Sequence, residues 1–546
     1  MTRSLVPLFA LAVVTCAAVC QQPIPRKPAP QKPTPLAAAW WSITTDLAND
    51  SMEGRDTGTE AYERAARYVA EHFKADGLKP AGEQANGQPS YFQRVPMHQV
   101  DLDVAHSSVE LFSSSADMAG RPSTAEPHRK LQLLEEVTVA PREGAATDVT
   151  GRLVFTGYGV PAPGENIRGQ IAVFYNNTPA GLSAADRDAF IAGRIRSLTQ
   201  AGVLAIVSID NPAAIEPTHW PAAYARTVTI GSGQSAAPAA RGPVVMRISA
   251  ESAPKLFAYA EAVPKSMSFD RLLKLAEAGQ PIPSFQLVQE LTLHLATTAK
   301  NISSPNILAV LPGSDPTLAP EYVAVSAHLD GYGYGTPVFG DSLYNGALDD
   351  AAYVATLLQL ADALRSSPPR RSLLFCIFTG EEKGLLGSVY FTEHPTVPIR
   401  QIVADFNLDQ LRPIFPLKIL TMEGIADSSL GESARRVAQK FNIELRPDRE
   451  TERNLFRRAD NYSFVRVGVP IAGFIFGYNP GTEEERIYRD WYARRYHKPQ
   501  DDLQTPIDWA AAATFNAFYR ALVLDVANAP ARPQWNAGSA YAPAAK

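Results

Sequence analysis

The feature that most constrains the fold is an alternation of apolar and amphipathic segments in the second half of the chain. Beyond about residue 300, the apolar runs with the composition of buried strands are NILAVLPG, EYVAVSA, RSLLFCIF, QIVADFNLD and IAGFIF. The segments AAYVATLLQLADALRS and SSLGESARRVAQKF lie between some of them and have apolar residues at helical spacing. This alternation predicts an α/β domain whose central mixed, mostly parallel sheet is flanked by helices.

The chain has 546 residues, which exceeds one ordinary hydrophobic core and predicts two or three domains. Before the α/β part, the sequence instead has short predicted strands between glycines, such as GRLVFTGYGV, GQIAVFY and GVLAIVSID. We expect a signal peptide at 1–20, a proline-rich linker at 21–37, the first part of the α/β domain at 38–134, a β-rich insert at 135–290, the rest of the α/β domain at 291–530 and a loose tail at 531–546.

The start of the chain, MTRSLVPLFALAVVTCAAVCQQ, has one arginine, an apolar run and then small residues. This order is typical of a secretory signal, and the run is too short to span a membrane. We predict cleavage after Cys20 and a secreted or periplasmic protein. A lipid anchor on Cys16 or Cys20 is an alternative, although the residues before either cysteine make a poor lipidation sequence.

Composition excludes several classes of protein. The 51 Lys and Arg nearly balance the 56 Asp and Glu, so neither nucleic acid nor an anionic membrane is an expected partner. Cys376 lies in an apolar run and is expected to be buried and inert, which leaves no disulfide framework and no cysteine metal site. The segment YGVPAPGENIRG lacks the spacing and lysine of a phosphate loop, and no Gly-x-Ser-x-Gly motif of a serine hydrolase occurs.

Acidic and imidazole side chains follow several of the predicted strands. They are His328, Asp349, Glu381, Glu382 and Asp409, with His497 further on in RRYHKPQDDL. Ligands bind beyond the carboxyl ends of the strands in sheets of this kind. Acids and imidazoles gathered there would repel and lose solvation unless a cation were present, and they are ligands that zinc takes.

Each of these signals has an ordinary structural alternative. Asp349 and Asp350 alone suit the start of a helix, and adjacent glutamates are usually solvated surface. Asp330 lies two positions after His328, on the same face of a strand, and is expected to orient its imidazole. Asp501 follows His497 closely and is expected to act in the same way.

Five segments, SAHLD, NGALDDAA, TGEEKGLLGS, FNLDQL and YHKPQDD, resemble in this order the motifs of the zinc-dependent aminopeptidase and glutamate carboxypeptidase family. This family comprises clan MH exopeptidases of the aminopeptidase-Y type, and it includes glutaminyl cyclases and the non-catalytic transferrin receptor. The resemblance covers roughly 300 to 530, and SMEGRDTGTEAYERAARYVAEHF is similar to the family's N-terminal region. It implies a phosphorylase/hydrolase-like fold. VFTGYGV and IRGQIAVF resemble the β-rich protease-associated (PA) domain that many members carry as an insert.

The resemblance also implies residue roles. His328 and Asp409 would hold one Zn²⁺, Glu382 and His497 a second, and Asp349 would bridge the two. Glu381 would be the general base that takes a proton from water and passes it to the leaving amine. The implied substrates are peptides.

One segment departs from the family pattern. NLFRRADNYSF resembles the segment in which some relatives place a tyrosine that helps stabilise the oxyanion, but the matching residue here is Phe456. Phenylalanine donates no hydrogen bond, so we expect Arg458 or Tyr462 to substitute. Alternatively, Arg457 and Arg458 only pair with surface acids.

The leading hypothesis is a secreted dinuclear zinc aminopeptidase. A glutaminyl-cyclase-like enzyme would need one zinc and not the half of the site built on His328 and Asp409. A carboxypeptidase for acidic C-terminal residues would need cations near the metals, such as Arg457 or Arg458. A non-catalytic binding homologue would have lost ligands that this chain keeps. The sequence makes no prediction of oligomeric state.

Overall fold

A computed structural model describes residues 32–113, 129–211, 220, 222–231, 242–257, 268–409 and 412–542. The predicted signal peptide with Cys16 and Cys20, and most of the predicted linker, lie outside these residues. The first helix already begins at Pro35, within the range predicted for the linker. Within the described ranges, no helix is long and apolar enough to cross a membrane.

The helices of the described residues are α1 Pro35–Ala48, α2 Glu60–Ala75, α3 Ala184–Ala201, α4 Phe269–Glu277, α5 Ala352–Leu364, α6 Leu386–Glu393, α7 Leu430–Lys440, α8 Asn461–Arg466, α9 Glu483–Arg494 and α10 Trp509–Asn528. The strands are β1 Lys79–Pro80, β2 Gln84–Ala85, β3 Gln88–Pro89, β4 Phe92–Leu102, β5 Ser108–Ser113, β6 Arg129–Leu131, β7 Val137–Ala140, β8 Asp148–Thr156, β9 Ile171–Tyr175, β10 Ala205–Ile209, β11 Arg226–Ile230, β12 Val244–Ile248, β13 Ser284–His294, β14 Thr297–Leu311, β15 Tyr322–His328, β16 Gly333–Val338, β17 Asp341–Tyr344, β18 Ser372–Phe378, β19 Ile402–Asn407, β20 Ile419–Glu423, β21 Glu444–Arg446 and β22 Ile471–Gly477.

The larger sheet has the strand order β11-β4-β14-β18-β15-β19-β22-β20-β21, and β1 pairs with β14. The four central strands, β18, β15, β19 and β22, run parallel. The pairs β4–β14, β14–β18 and β20–β22 are antiparallel. The predicted mixed sheet is therefore confirmed, and its parallel part is concentrated in the middle, where the predicted strand–helix alternation lies.

Strand β18 shows why the middle of the sheet is apolar along its whole length. Its odd-numbered side chains pack into one hydrophobic core with α1, α2, α5 and α10, and its even-numbered ones, including Cys376, pack into another with α6 and α8. Because both faces of the strand are covered by helices, every residue of SLLFCIF is buried. Cys376 is a buried free cysteine, as expected.

A second sheet has the order β6-β5-β13-β8-β9-β10-β12-β7. Its strands come from a segment that leaves the larger sheet at the end of β4 and returns at the start of β14, where Leu102 lies opposite Thr297. Residues 103–296 are called the inserted segment below. It also contains the helix α3.

The inserted segment differs from the predicted insert at 135–290 in two ways. Strands β5 and β6 belong to the second sheet although they precede residue 135, because they pair with each other and β5 pairs with β13. Strand β11 lies inside the interval but pairs with β4 and extends the larger sheet. Pairing between strands distant in sequence is not encoded in the local pattern from which the boundary was predicted.

Arg55, in the segment SMEGRDTGTE, ties three parts of the larger domain together from a fully buried position. Its guanidinium donates to the carbonyl oxygens of Leu47 (2.7 Å), Leu329 (2.8 Å), Asn345 (2.7 Å) and Gly346 (2.9 Å). It therefore joins the end of α1 to the loop after β15 and to the loop after β17.

We expect the substitution Arg55→Met to destabilise the fold by about 3 kcal/mol or more, because several buried carbonyl groups would lose their hydrogen-bond partner. Urea unfolding followed by circular dichroism measures the effect. The control Arg64→Met removes an exposed ion pair with Glu53 and should change the free energy of unfolding by less than about 1 kcal/mol. Equal urea midpoints for Arg55→Met and the wild type would contradict this role.

Candidate metal centre

The candidate site lies where the central parallel strands end. Strand β15 ends at His328, Glu381 and Glu382 follow β18, and Asp409 follows β19. A cavity of about 350 Å³ opens at this edge. The described residues that line it are Tyr224, Tyr332, Asp349, Glu381, Glu382, Gly384, Leu385, Asp409, Arg457, Arg458, Tyr496 and His497.

Two of the other predicted ligands, His328 and His497, face the two carboxylate oxygens of Asp349. Asp349 Oδ1 lies 3.2 Å from His328 Nε2, and Asp349 Oδ2 lies 3.5 Å from His497 Nε2. Glu382 Oε2 lies 3.6 Å from the same nitrogen of His497. Two tetrahedral ligands of one zinc ion at about 2.0–2.1 Å lie about 3.3 Å apart, so this spacing fits shared metal ions.

Several of these atoms lack a hydrogen-bond partner among the described residues. They include His328 Nε2, Asp349 Oδ2 and Glu382 Oε1, which are all buried. An unpartnered buried polar atom costs free energy, and most such atoms in native proteins are satisfied. A donor set of imidazole nitrogens and carboxylate oxygens that is otherwise unsatisfied suits zinc.

The pKa values of the carboxylates also favour a positively charged partner in the site. Burial, together with the negative charges of Asp409 and Glu382, raises the pKa of Glu381 well above its usual value. Burial and Asp349 raise the pKa of Glu382 to about 7. Burial also raises the pKa of Asp349, but the imidazoles of His328 and His497 that face its two oxygens outweigh burial and lower this pKa. Negative charge is therefore costly here unless it faces a positive partner.

Asp330 orients two parts of the site at once. His328 Nδ1 donates to the backbone oxygen of Asp330 at 3.0 Å, so the expected orientation of this imidazole comes from the main chain. The Asp330 carboxylate instead accepts from the N–H groups of Glu381 (3.0 Å) and Glu382 (3.4 Å), and from the Thr57 hydroxyl (2.9 Å). It thereby fixes the turn that carries the two glutamates.

Asp501 has a different partner from the one expected. Its carboxylate accepts from the backbone N–H groups of Leu348 and Asp349, at 3.0 Å each, and not from His497. It therefore fixes the loop that presents Asp349. Asp350, which sequence reasoning did not place in the site, accepts from the N–H of His328 at 3.1 Å. The paired aspartates were the only signal for it.

Tyrosines surround His497, and the motifs did not reveal them. Tyr332 Oη lies 3.1 Å from Nδ1 and 3.3 Å from Nε2 of His497, and Tyr332 donates to Glu382 Oε2. Tyr224 Oη lies 3.4 Å from His497 Nδ1. The ring of Tyr496 stacks on the imidazole, with 3.6 Å between ring centroids. The clustering of Tyr332 with other aromatic residues after HLD was the only available signal.

The two residues proposed to replace the missing tyrosine at Phe456 differ in position. Arg458 lines the cavity, with Nη2 3.5 Å from Tyr496 Oη. Tyr462 is not among the described residues that line it; its ring packs near Phe456, with 6.3 Å between centroids, under the Arg457 guanidinium. Tyr462 packs against the apolar cluster that contains Phe464 and Val465, and its role as an oxyanion donor stays a prediction.

The fold and this acid–imidazole cluster define a zinc-peptidase-like α/β protein. Residues 306–523 match the model of peptidase family M28. The resemblance carried by the five sequence motifs is thus confirmed.

Curated relatives cover part of the chain. The chain is similar to aminopeptidase YwaD of Bacillus subtilis, with 27% identity over 221 residues, which is 40% of this chain and 43% of the relative. It is also similar to a probable leucine aminopeptidase 2 of Aspergillus oryzae, with 24% identity over 363 residues, or 63% and 64% of the two chains. The chain therefore spans less than two thirds of the length of these relatives.

Solved structures share the fold over most of the chain. An aminopeptidase from Aneurinibacillus sp. strain AM-1 matches with a TM-score of 0.55 and 19% identity, covering 91% of this chain and 95% of that one. BSAP, a zinc aminopeptidase from Bacillus subtilis, matches with a TM-score of 0.54 and 20% identity, covering 90% and 95%. At this coverage the likeness includes much of the inserted segment.

We expect Asp501→Ala to weaken zinc binding roughly 10- to 100-fold, because the loop that carries Asp349 would lose its anchor. Competition with a chromophoric chelator measures the affinity. Asp501→Asn keeps one acceptor oxygen and should lie between the alanine variant and the wild type. The neighbouring substitution Asp502→Ala is the control. Unchanged affinity in Asp501→Ala would contradict the assignment.

Proposed function

We propose that the protein is a dinuclear zinc aminopeptidase that removes N-terminal residues from peptides. The observation that carries the proposal is the position of Asp349, whose two oxygens face His328 at 3.2 Å and His497 at 3.5 Å. A carboxylate between two imidazoles in this way suits a bridge between two ions. The match of residues 306–523 to the model of family M28 and the likeness to aminopeptidases support the choice of reaction.

In this proposal the ligands divide into two sets around Asp349. His328 and Asp409 hold one Zn²⁺, and Glu382 and His497 hold the other. When bound, the zinc pair supplies positive charge that polarises the scissile carbonyl and favours ionisation of water. That charge also offsets the repulsion among the carboxylates of Asp349, Glu381, Glu382 and Asp409.

Glu381 is the proposed general base. It lines the cavity directly beside Glu382, and its backbone N–H is held by Asp330 at 3.0 Å. Its carboxylate accepts a proton from the water molecule that attacks the scissile carbonyl carbon. It then gives the proton to the amine nitrogen as the carbon–nitrogen bond breaks. One residue serves both steps, because the Glu381 carboxylate alternates between its ionised and its protonated form.

A carboxypeptidase for acidic C-terminal residues is the second candidate. Arg457 and Arg458 line the same cavity as the acids, so a substrate carboxylate would meet positive charge there. Incubation with a peptide library, followed by mass spectrometry, distinguishes the two candidates by the end that shortens. Loss of N-terminal residues supports the aminopeptidase, and loss of C-terminal residues supports the alternative.

We also propose that the protein is exported from the cytoplasm, because a signal peptide is predicted at 1–20. Fractionation of the cells that make the protein, followed by N-terminal sequencing, tests it. A mature chain that begins near residue 21 outside the cytoplasm supports export.

We expect Glu381→Gln to lower kcat roughly 10²- to 10⁴-fold while leaving zinc content unchanged, since glutamine is nearly isosteric but takes up no proton. Hydrolysis of leucine p-nitroanilide and metal analysis of the same preparation measure the two quantities. Glu393→Gln, on the exposed end of α6, is the matched control. Full activity in the Glu381 variant would rule out the base assignment.

We expect a strong chelator to abolish hydrolysis, and two equivalents of Zn²⁺ per chain to restore it. Stepwise addition to metal-free protein, with activity read after each step, gives the stoichiometry. Full recovery with one equivalent would argue against a dinuclear site and for a single-zinc enzyme of the cyclase type. Activity that resists chelation would contradict a metallopeptidase.

A further inference from the structure

Among the described residues that line the cavity of the candidate metal centre, Tyr224 is the one that belongs to the inserted segment. This residue lies in the turn just before β11 and lines the cavity together with His497. A second cavity, between the second sheet and the turn after β18, is also lined by Tyr224 and Glu382. We propose that Tyr224 is a positioning residue that holds Tyr332 and His497 in place and so sets the affinity of the zinc site built on Glu382 and His497. The inference rests on the proposed dinuclear centre.

The backbone around Tyr224 is fixed to both sheets. Strand β11, two residues on, pairs antiparallel with β4 of the larger sheet, with Arg226 opposite Asp101. The Arg226 side chain also bonds the Asp101 carboxylate at 2.8 Å and forms an ion pair with Asp56. On the other side, the hydroxyl of Thr138 in β7 donates to the carbonyl oxygen of Tyr224 at 3.0 Å. The residue therefore has a defined position relative to both sheets.

The ring of Tyr224 belongs to a stack that crosses from the second sheet to the metal centre. Asp210 accepts two hydrogen bonds from Arg247, at 3.0 Å each, which hold the guanidinium in one plane. That guanidinium lies 5.6 Å from the Tyr224 ring centroid and 5.8 Å from that of Trp220. On its other side, the Tyr224 ring packs on Tyr332, with 5.7 Å between centroids.

The stack ends on the imidazole of His497. The Nε2 atom of His497 faces Asp349 and Glu382, so Nδ1 is the nitrogen left for an orienting partner. For His328 this partner is a backbone carbonyl oxygen. For His497 the hydroxyl oxygens of Tyr332 and Tyr224 lie within hydrogen-bond distance of Nδ1, at 3.1 and 3.4 Å. Tyr332 Oη also lies 3.3 Å from Nε2 and donates its single proton to Glu382, so Tyr332 packs against the imidazole between its two nitrogens, while Tyr224 Oη approaches Nδ1.

His497 also needs external support because of its backbone. It adopts a φ of 53°, in the left-handed region that side chains other than glycine rarely occupy. Such a conformation persists only where the surrounding contacts favour it. The rings of Tyr496 and Tyr332 contact the imidazole directly, and Tyr224 holds Tyr332 against it.

The test is a zinc titration of metal-free, full-length protein against a chromophoric chelator, which resolves two binding steps in the wild type. We expect Tyr224→Phe to weaken one of the two steps, that of the ion held by Glu382 and His497, about tenfold, because it loses the hydroxyl and keeps the ring. We expect Tyr224→Ala to weaken the same step up to about 100-fold, because Tyr332 loses its support. The other step should stay unchanged in both variants.

The matched control is Tyr158→Phe, which removes a tyrosine hydroxyl elsewhere in the inserted segment, where it donates to the carbonyl oxygen of Gln280 at 2.7 Å. Its two binding steps should equal those of the wild type. Should Tyr224→Ala fail to fold by circular dichroism, the Phe variant decides. Two wild-type steps in the Phe variant, and in any Ala variant that folds, would overturn the inference, and so would equal weakening of both steps. A wild-type protein that binds fewer than two ions would instead overturn the proposed function.

Discussion

The parallel pairing of β18, β15, β19 and β22 is the constraint on which the candidate site depends. Parallel strands end at one edge of a sheet, so residues that follow three of them, far apart in sequence, meet in one place. The adjacent antiparallel strands and the helices on both faces bury the middle of the sheet. The polar side chains at its edge therefore project from a rigid base.

A rigid base alone does not hold mutually repelling carboxylates together. Backbone N–H groups do much of that work, because Asp330 and Asp501 each accept from the main chain of a loop that carries a candidate ligand. Arg55 adds a buried positive charge beneath the loops after β15 and β17. The arrangement is thus maintained by hydrogen bonds to the loops around it, and four of the five candidate ligands line the cavity.

The sequence predicted the parts of the molecule that local pattern encodes. Strands β15, β18 and β19 and the residues after them were recognisable because apolar runs end there in acids or histidine. Asp501 was assigned the wrong partner, and Tyr224 was missed, because their contacts join residues far apart in the chain. Tyr224 and His497 are 273 residues apart, and no periodicity or spacing relates them. The same reason explains why β5, β6 and β11 were not assigned to their sheets.

The way in which the inserted segment is attached has a mechanical consequence. It leaves and re-enters the larger sheet at adjacent ends of β4 and β14, and it also contributes β11 to the far side of β4. If only these two adjacent connections joined the inserted segment to the larger sheet, the segment could rotate about them as about a hinge. The additional strand opposes that rotation, so Tyr224, just before it, keeps a fixed position relative to the sheet edge that carries the candidate metal centre.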